Sequence, residues 1–539
     1  MANVERQLTV RGLIIGGVGA AIITCSSMFI ALKASSLPWP IVFVVLVSMF
    51  CLKLAGRTSL QEINITQTAM SSGAMVAGGL AFTIPGIWLL HPDTPFSVSH
   101  LLVVTLCGVV LGLIFTALVR KHFVETEQLP FAMGEAAAVT LQIGDKERKH
   151  SVRLFASMGL AGIFTYLRDS LGVIPAVSLS KSMLSYGSSF GLWYSPMLVG
   201  IGYIIGPVVI GVWFLGALIG DFGILYGGTK CGLWNIAAAQ TIKSSLGIGL
   251  MVGTGVGILV KKVIPKAKSI FGSMFSKTQF GDCFIDMRWA PPVLVLIAFA
   301  LTVWAKMGIV ASVIVILGTW LATSMSSQCV GQSGINPMEI FGIIVLLAAK
   351  ACWPKLGASS AFYVAAVVAV ACGLAGDVMN DFKAGHILRS NPKAQWIAEA
   401  VGAVIGAFVS VAVLAVILRA YGAGAFGPDK MFPAAQASAV AAMVGGISHV
   451  PAFVTGLVAG VVLYCVNFPV ITLGLGVYLP FYLSATAAVG GLLRFLVDKI
   501  FPSYEKDSSG TVIASGLLGG ESIVGVAVAI VMALKAILH

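Results

Sequence analysis

Asp377, Asp381, Lys383 and His386 fall within "GLAGDVMNDFKAGHIL" (Gly373–Leu388), which follows the apolar run "AFYVAAVVAVAC" with no polar linker. Two carboxylates, an ammonium and an imidazole therefore stand at or just past the end of a stretch that reads as membrane-buried. If the segment stays helical, Asp377 and Asp381 share one face, and Lys383, about half a turn further on, need not pair with either. One reading is a span reaching water, with Lys383 and Arg389 where the positive-inside bias puts them. The other is an acidic patch at the mouth of an aqueous cavity, binding a cation or relaying protons.

Further acids stand alone in apolar sequence: Glu135 in "PFAMGEAAAV", Glu521 in "GLLGGESIVGV" and Glu399 in "IAEAVGAV". An ionisable residue inside a membrane segment is a functional hypothesis by default. A carboxyl group taken out of water can carry a proton near neutral pH, which is the chemistry of proton-coupled uptake. Glu399, at the start of a long apolar run, reads as interfacial.

Two polar, glycine-containing segments interrupt the apolar pattern. "QEINITQTAMSSGAMVAGG" (Gln61–Gly79) holds Asn64, Gln67, Thr68, Ser71 and Ser72. "SSQCVGQSGINPMEIFG" (Ser326–Gly342) holds Gln328, Gln332, Ser333, Asn336 and Glu339 around Gly331, Gly334 and Pro337. Lipid offers no partner to a polar group, so such breaks must border protein or water. Pro removes a backbone donor and Gly loosens the helix, so both segments are expected to form broken or re-entrant helices. Their amides and hydroxyls suit a zwitterionic, hydrogen-bonding solute. The alternative is interhelical polar glue between closely packed helices.

The elements that must hold these residues are membrane helices. The chain has 539 residues, is 58% hydrophobic and only 10% charged, against about 25% charged in a soluble domain. Runs such as Leu13–Leu32 carry no charge and are long enough to cross a hydrocarbon core of ~30 Å. They do not alternate, which excludes a barrel. The expectation is an all-α polytopic membrane protein with roughly 12 to 16 transmembrane helices. The net charge of +12 gathers in short connections, "GDKERKHSVR", "KKVIPKAK" and "LRSNPK", as cytoplasmic loops require, and is not a nucleic-acid surface. Starting from an inside N-terminus, Lys53, Arg57, Arg120 and Lys121 fall inside and "HPDTP" (His91–Pro95), without Lys or Arg, falls outside. The nine cysteines include no C-x-x-C pair, so neither a disulfide frame nor a metal centre is expected.

Residues 1–260 and 291–539 read as two transmembrane halves joined by a basic cytoplasmic connection over 261–290. The halves echo each other in order. "INITQTA" answers "INPMEIF", "LPFAMGEAAAV" answers "FPAAQASAV", "SPMLVGIGYIIG" answers "LPFYLSATAAVGG", and "GIGLMVGTGVG" answers "GLLGGESIVGV". Ordered echoes suggest a two-fold internal repeat of the kind transporter folds use.

"GEAAAV" after "QLPF", "SPMLVGIGYIIGP", "GQSGINP", "GDVMNDFKAGHI", "GVYLPFYLSA" and "SGLLGGESIVGV" occur in this order. Together they make the chain resemble the oligopeptide transporter family over nearly its whole length, nearer the prokaryotic and yellow-stripe-like branch than the fungal peptide branch. The family order after "LPF" is Pro-Glu-Gly, and here it is "AMGE", which displaces the carboxylate at Glu135. The resemblance implies a secondary transporter importing oligopeptides or peptide-like metal chelates, coupled to protons, in a prokaryotic inner membrane, with a homodimer among the expected assemblies. The expected substrate-binding residues are Asn64, Gln67, Thr68, Ser71, Gln332, Ser333, Asn336, Gln436 and Tyr478. The expected proton-coupling residues are Glu135, Glu339, Asp377, Asp381 and Glu521. No cofactor, metal centre, catalytic residue or nucleic-acid partner is expected. A channel or exporter is the alternative, but no repeated filter-like ring is present. No G-x-x-x-x-G-K-[ST] loop occurs, so the chain does not hydrolyse ATP itself. A membrane aspartyl enzyme is a weaker alternative, because its two acids must meet from separate elements.

Overall fold

Helices dominate the protein, and polar capping residues set several of their boundaries. The computed structural model describes residues 7–34, 37, 41–143, 147–258, 260–261, 265, 284–285, 287–333, 336, 338–427, 430–445, 447–501, 503–504 and 508–538. In chain order the main helices begin with α1 (Val10–Ala34), α2 (Ile41–Leu54), α3 (Leu60–Ala81), α4 (Val98–Arg120) and α5 (Ala132–Ile143). Then come α6 (Glu147–Asp169), α7 (Pro196–Ile205), α8 (Pro207–Ala217), α9 (Ile236–Ile258), α10 (Ala290–Val303), α11 (Ile309–Ser333) and α12 (Met338–Cys352). The last are α13 (Ala358–Leu388), α14 (Pro392–Tyr421), α15 (Ala435–Gly445), α16 (Val450–Cys465), α17 (Val470–Tyr478), α18 (Phe481–Ile500) and α19 (Ser509–Leu538). Among the described residues, 9 helical stretches are long and apolar enough to cross a membrane. The chain is an all-α polytopic membrane protein. Some apolar runs that read as whole spans are instead cut into shorter helices. Between α7 and α8, for example, Gly206 adopts φ +91° and Pro207 lacks the N–H needed to continue the ladder.

Two compact units are formed, each drawn from both halves of the sequence. The first comprises 1–31, 39–147 and 262–416; the second comprises 32–38, 148–261 and 417–539. In the first, α13 is enclosed on every side, by α3, α4, α5, α11 and α12. A helix hydrophobic all round belongs in such a core. Its Ala- and Val-rich body lets neighbours approach closely. A side chain at Gly79 of α3 would meet Val370, and one at Gly108 of α4 would meet the Val367 carbonyl. This is the small-residue packing that membrane helices favour. At its end, Arg389 turns left-handed (φ 58°) and the Ser390 N–H closes on the Gly385 carbonyl, which satisfies an otherwise orphaned carbonyl.

The second unit holds a small antiparallel ribbon. Val177–Leu179 (β1) pairs with Gly191–Trp193 (β2), with Val177 opposite Trp193. In this unit Gly249 and Gly253 of α9 lie against Phe453 and Leu457 of α16, while Gly516 and Gly520 of α19 lie against Leu154 and Met158 of α6.

Two turns share one construction. After Pro130, Phe131 takes φ 44°, its N–H bonds the Gly331 carbonyl at the end of α11 (3.0 Å), and α5 begins. After Pro433, Ala434 takes φ 44°, its N–H bonds the Leu32 carbonyl at the end of α1 (3.2 Å), and α15 begins. Each puts a non-glycine residue in a conformation that costs about 1–2 kcal/mol.

Candidate functional site

The polar stretch of α3 does not break the helix. Ser59 opens it, accepting from the Glu62 N–H (3.1 Å), and the ladder runs to Ala81. Asn64, Gln67, Thr68 and Ser71 are spaced by three and four, so they form one stripe. That stripe is buried, and its partners come from α13 and the loop that follows it. Gln67 Nε2 donates to Asp381 Oδ1 (2.7 Å), Ser71 Oγ to Asp381 Oδ2 (3.1 Å), and Asn64 Nδ2 to Ser390 Oγ (3.1 Å). Thr68 turns its hydroxyl back to the Asn64 carbonyl (3.0 Å).

From α14 comes Glu399, which the sequence reading placed at the interface and the structure buries completely. One carboxylate oxygen from each of Asp377, Asp381 and Glu399 lies within 4.8 Å of the other two. Their exposures are 1%, 1% and 0%. One turn before Glu399, Gln395 donates to the Asp381 carbonyl (2.8 Å) and fixes α14 against α13. The close approach of α14 to α3 is permitted by Gly402 and Gly406, where any side chain would strike Ala69, Ser72 or Gly73. A face carrying Gln395, Glu399, Gly402 and Gly406 at helical spacing is the signal that could have located Glu399 in the interior.

The electrostatics of this triad are unusual within the protein. Three other buried acids have a cation. Glu62 is held in a fork by Arg11 (2.8 and 2.7 Å), with Thr9 and Thr58 completing it. Glu521 accepts from Arg168 (2.9 Å), Ser195 and the Met197 N–H. Asp221 accepts from Lys243 (2.7 Å) and from Ser189. Around the triad no ion pair is found among the described residues. Lys383 instead donates to the Leu129 carbonyl (3.0 Å) and faces Glu135 at 3.7 Å. Both oxygens of Glu399, Oδ2 of Asp377, Oε1 of Gln67 and Oδ1 of Asn64 are buried with no hydrogen-bond partner. At the 4.8 Å limit, two unit charges repel by about 3.5 kcal/mol with an effective dielectric near 20. Three ionised carboxylates would thus cost about 10 kcal/mol, comparable to the whole stability of a domain. The site requires positive charge, as protons or as a cation.

The remaining predicted residues are dispersed. Asn336 is a tie, donating to the Cys372 carbonyl (2.8 Å) and accepting from Ser326 (2.8 Å), one turn before Asp377. Glu339 is buried in the first turn of α12. The side chains of Gln332 and Ser333 lie outside the described residues. Gln436 and Tyr478 are buried in the second unit, as is Glu521. Glu135, read from sequence as a membrane-embedded acid, has a side chain 49% exposed. A cleft of about 960 Å³ in the first unit, lined by Ile114, Phe115, Leu317, Trp320 and Arg288, contains none of the predicted site residues. Sequence reasoning also missed the ion pairs Arg11–Glu62, Arg168–Glu521 and Lys243–Asp221, whose members are far apart along the chain or set in unremarkable segments.

With this geometry in place, the chain can be set beside known proteins. The family model for the OPT oligopeptide transporter protein matches residues 7–532. A Haemophilus influenzae protein bearing an oligopeptide-transporter name is 25% identical, over 94% of this chain and 92% of its own length. A rice protein bearing the name metal-nicotianamine transporter YSL6 is 22% identical, over 99% of this chain and 94% of its own length.

Proposed function

We propose, from the premise that this chain belongs to the OPT oligopeptide transporter family, that it imports short peptides or peptide-like metal chelates by proton-coupled alternating access. The two relatives carry names for these two substrate classes. The observation that carries the coupling is the uncompensated carboxylate cluster of Asp377 and Asp381, bonded to Gln67 and Ser71 of the α3 stripe. Protonation relieves its repulsion, and proton loss strains the contacts between α3, α13 and α14. The affinity of the α3 stripe for a solute is thereby tied to proton occupancy. Asn64, Gln67, Thr68 and Ser71 supply donors and acceptors for a zwitterionic backbone when the stripe is uncovered. Gln332, Ser333, Asn336, Gln436 and Tyr478 are further proposed contacts. Glu135, Glu339 and Glu521 remain candidate proton carriers.

The proposal includes an internal duplication, supported by the two matching Pro–left-handed turns and by the matched glycine contacts of α9 and α19. Pairs of related segments packed about a central site are the usual basis for alternating access. The proposed location is a prokaryotic inner membrane. Uptake of labelled trialanine into proteoliposomes tests the reading. An inward proton gradient is expected to drive accumulation, and Asp381→Asn to weaken it. Accumulation that ignores the gradient would refute the coupling.

A further inference from the structure

We propose that Glu399 is a third coupling residue, and that Asp377, Asp381 and Glu399 act as one unit that loads two protons in each transport cycle. This inference rests on the proton-coupled reading above and adds to it a residue and a stoichiometry.

The argument starts from which oxygens have donors. Asp381 accepts from both Gln67 and Ser71, and hydrogen bonds to a carboxylate favour its charged form. Asp377 Oδ2 and both oxygens of Glu399 have none. The single ionised member that the cluster can tolerate is therefore Asp381, and the two protons belong on Asp377 and Glu399. An independent observation points the same way. Gln67 is fully buried, and its amide nitrogen is committed to Asp381, yet its Oε1 has no donor. An amide oxygen does not titrate, and a proton on a neighbouring carboxyl would be a donor of the kind it lacks.

The surrounding charges do not offer another solution. On α3, Glu62 is neutralised by Arg11. On α13, Lys383 is spent on the Leu129 carbonyl and Glu135. On α4, Arg120 pairs with Glu125 (2.6 Å). α14 contributes Gln395, already bonded to the Asp381 carbonyl, and α12 contributes another buried acid, Glu339, in its first turn, with its one cation, Lys350, in its last. Because the three carboxyls lie so close together, their protons leave as a coupled set and not as independent sites.

Two measurements on the full-length protein test this. In proteoliposomes held at zero membrane potential, a pH difference of one unit sustains a limiting trialanine accumulation of about 100-fold for two protons and about tenfold for one. Wild type is expected at the higher limit, Glu399→Gln at the lower, and Glu399→Asp at the higher again. A wild-type limit near tenfold would overturn the inference and leave proton coupling standing. Gradient-insensitive uptake would remove both. Uptake driven by a sodium gradient alone would overturn it in favour of a metal-cation site. Independently of substrate, the infrared carboxylic-acid carbonyl band of the purified protein at neutral pH is expected to lose intensity in Glu399→Gln and in Asp377→Asn. An unchanged band in both variants would overturn the assignment.

Discussion

Asp381 and Glu521 are both buried carboxylates, yet their surroundings differ. Glu521 meets a guanidinium that is itself 1% exposed, and it also ties Ser195 and the start of α7 to α19. Removing one partner of a buried pair strands the other charge, which costs about 3–5 kcal/mol. Glu521→Ala is accordingly expected to lower the thermal midpoint of the detergent-solubilised protein and its yield. A variant with wild-type melting but lost proton dependence would instead make Glu521 a proton carrier. At this scale the sequence was partly legible. Asp377 and Asp381 declared themselves by charge inside an apolar helix and by a spacing of four. Glu399 did not, because one acid at the head of a long apolar run looks the same whether the helix enters from water or from a protein interior. The exposure of Glu135 was not legible for the complementary reason: glycine and alanine neighbours suit a buried helix and an exposed one equally.

At the scale of elements, helix α3 shows how polarity and continuity can coexist. Five polar residues near a glycine suggested a break, but their spacing places Asn64, Gln67, Thr68 and Ser71 on one stripe. Acceptors and donors on α13 and in the Ser390 turn satisfy much of that stripe, so the backbone has no need to open. Where Gly and Pro adjoin, at Gly206–Pro207, the helix does stop. The distinction is physical: side-chain polarity can be met by neighbours, but a missing backbone N–H cannot. The packing of α14 on α3 then becomes a functional requirement. Gly402→Val drives a side chain into Ala69 and Ser72, and should move Glu399 out of the cluster. Proton-driven uptake is expected to fall by about tenfold or more, since small displacements of a positioned group carry that penalty. Gly424→Val, at a position with no atom within 4 Å, is the control and should leave uptake unchanged. Equal activity of the two would detach the helix contact from coupling.

For the whole molecule, composition and hydropathy were decisive, because twenty-residue apolar runs with basic connections admit few other solutions than a helical membrane protein. The gathering of the chain into units drawn from both halves was not legible. Gly/Ala-rich segments show weak similarity to many others and do not reveal which of them pack together. The paired turns at Phe131 and Ala434 are clearer in three dimensions than in sequence, since Pro130 and Pro433 are shared but the strained residue differs. Topology makes its own prediction. On a cysteine-free background, a cysteine at Asp93 should react with an impermeant maleimide added to intact cells, whereas one at Arg57 should react only after permeabilisation. The reverse pattern would invert the orientation and with it the direction of proton-driven transport.

The most direct test of the coupling site follows the protons themselves. Trialanine added to lightly buffered proteoliposomes is expected to raise the external pH as protons enter with the peptide. The same addition to vesicles carrying the Asp377→Asn, Glu399→Gln double variant should leave the pH unchanged while peptide binding persists. A pH rise of wild-type size in the double variant would contradict the assignment of coupling to this buried cluster.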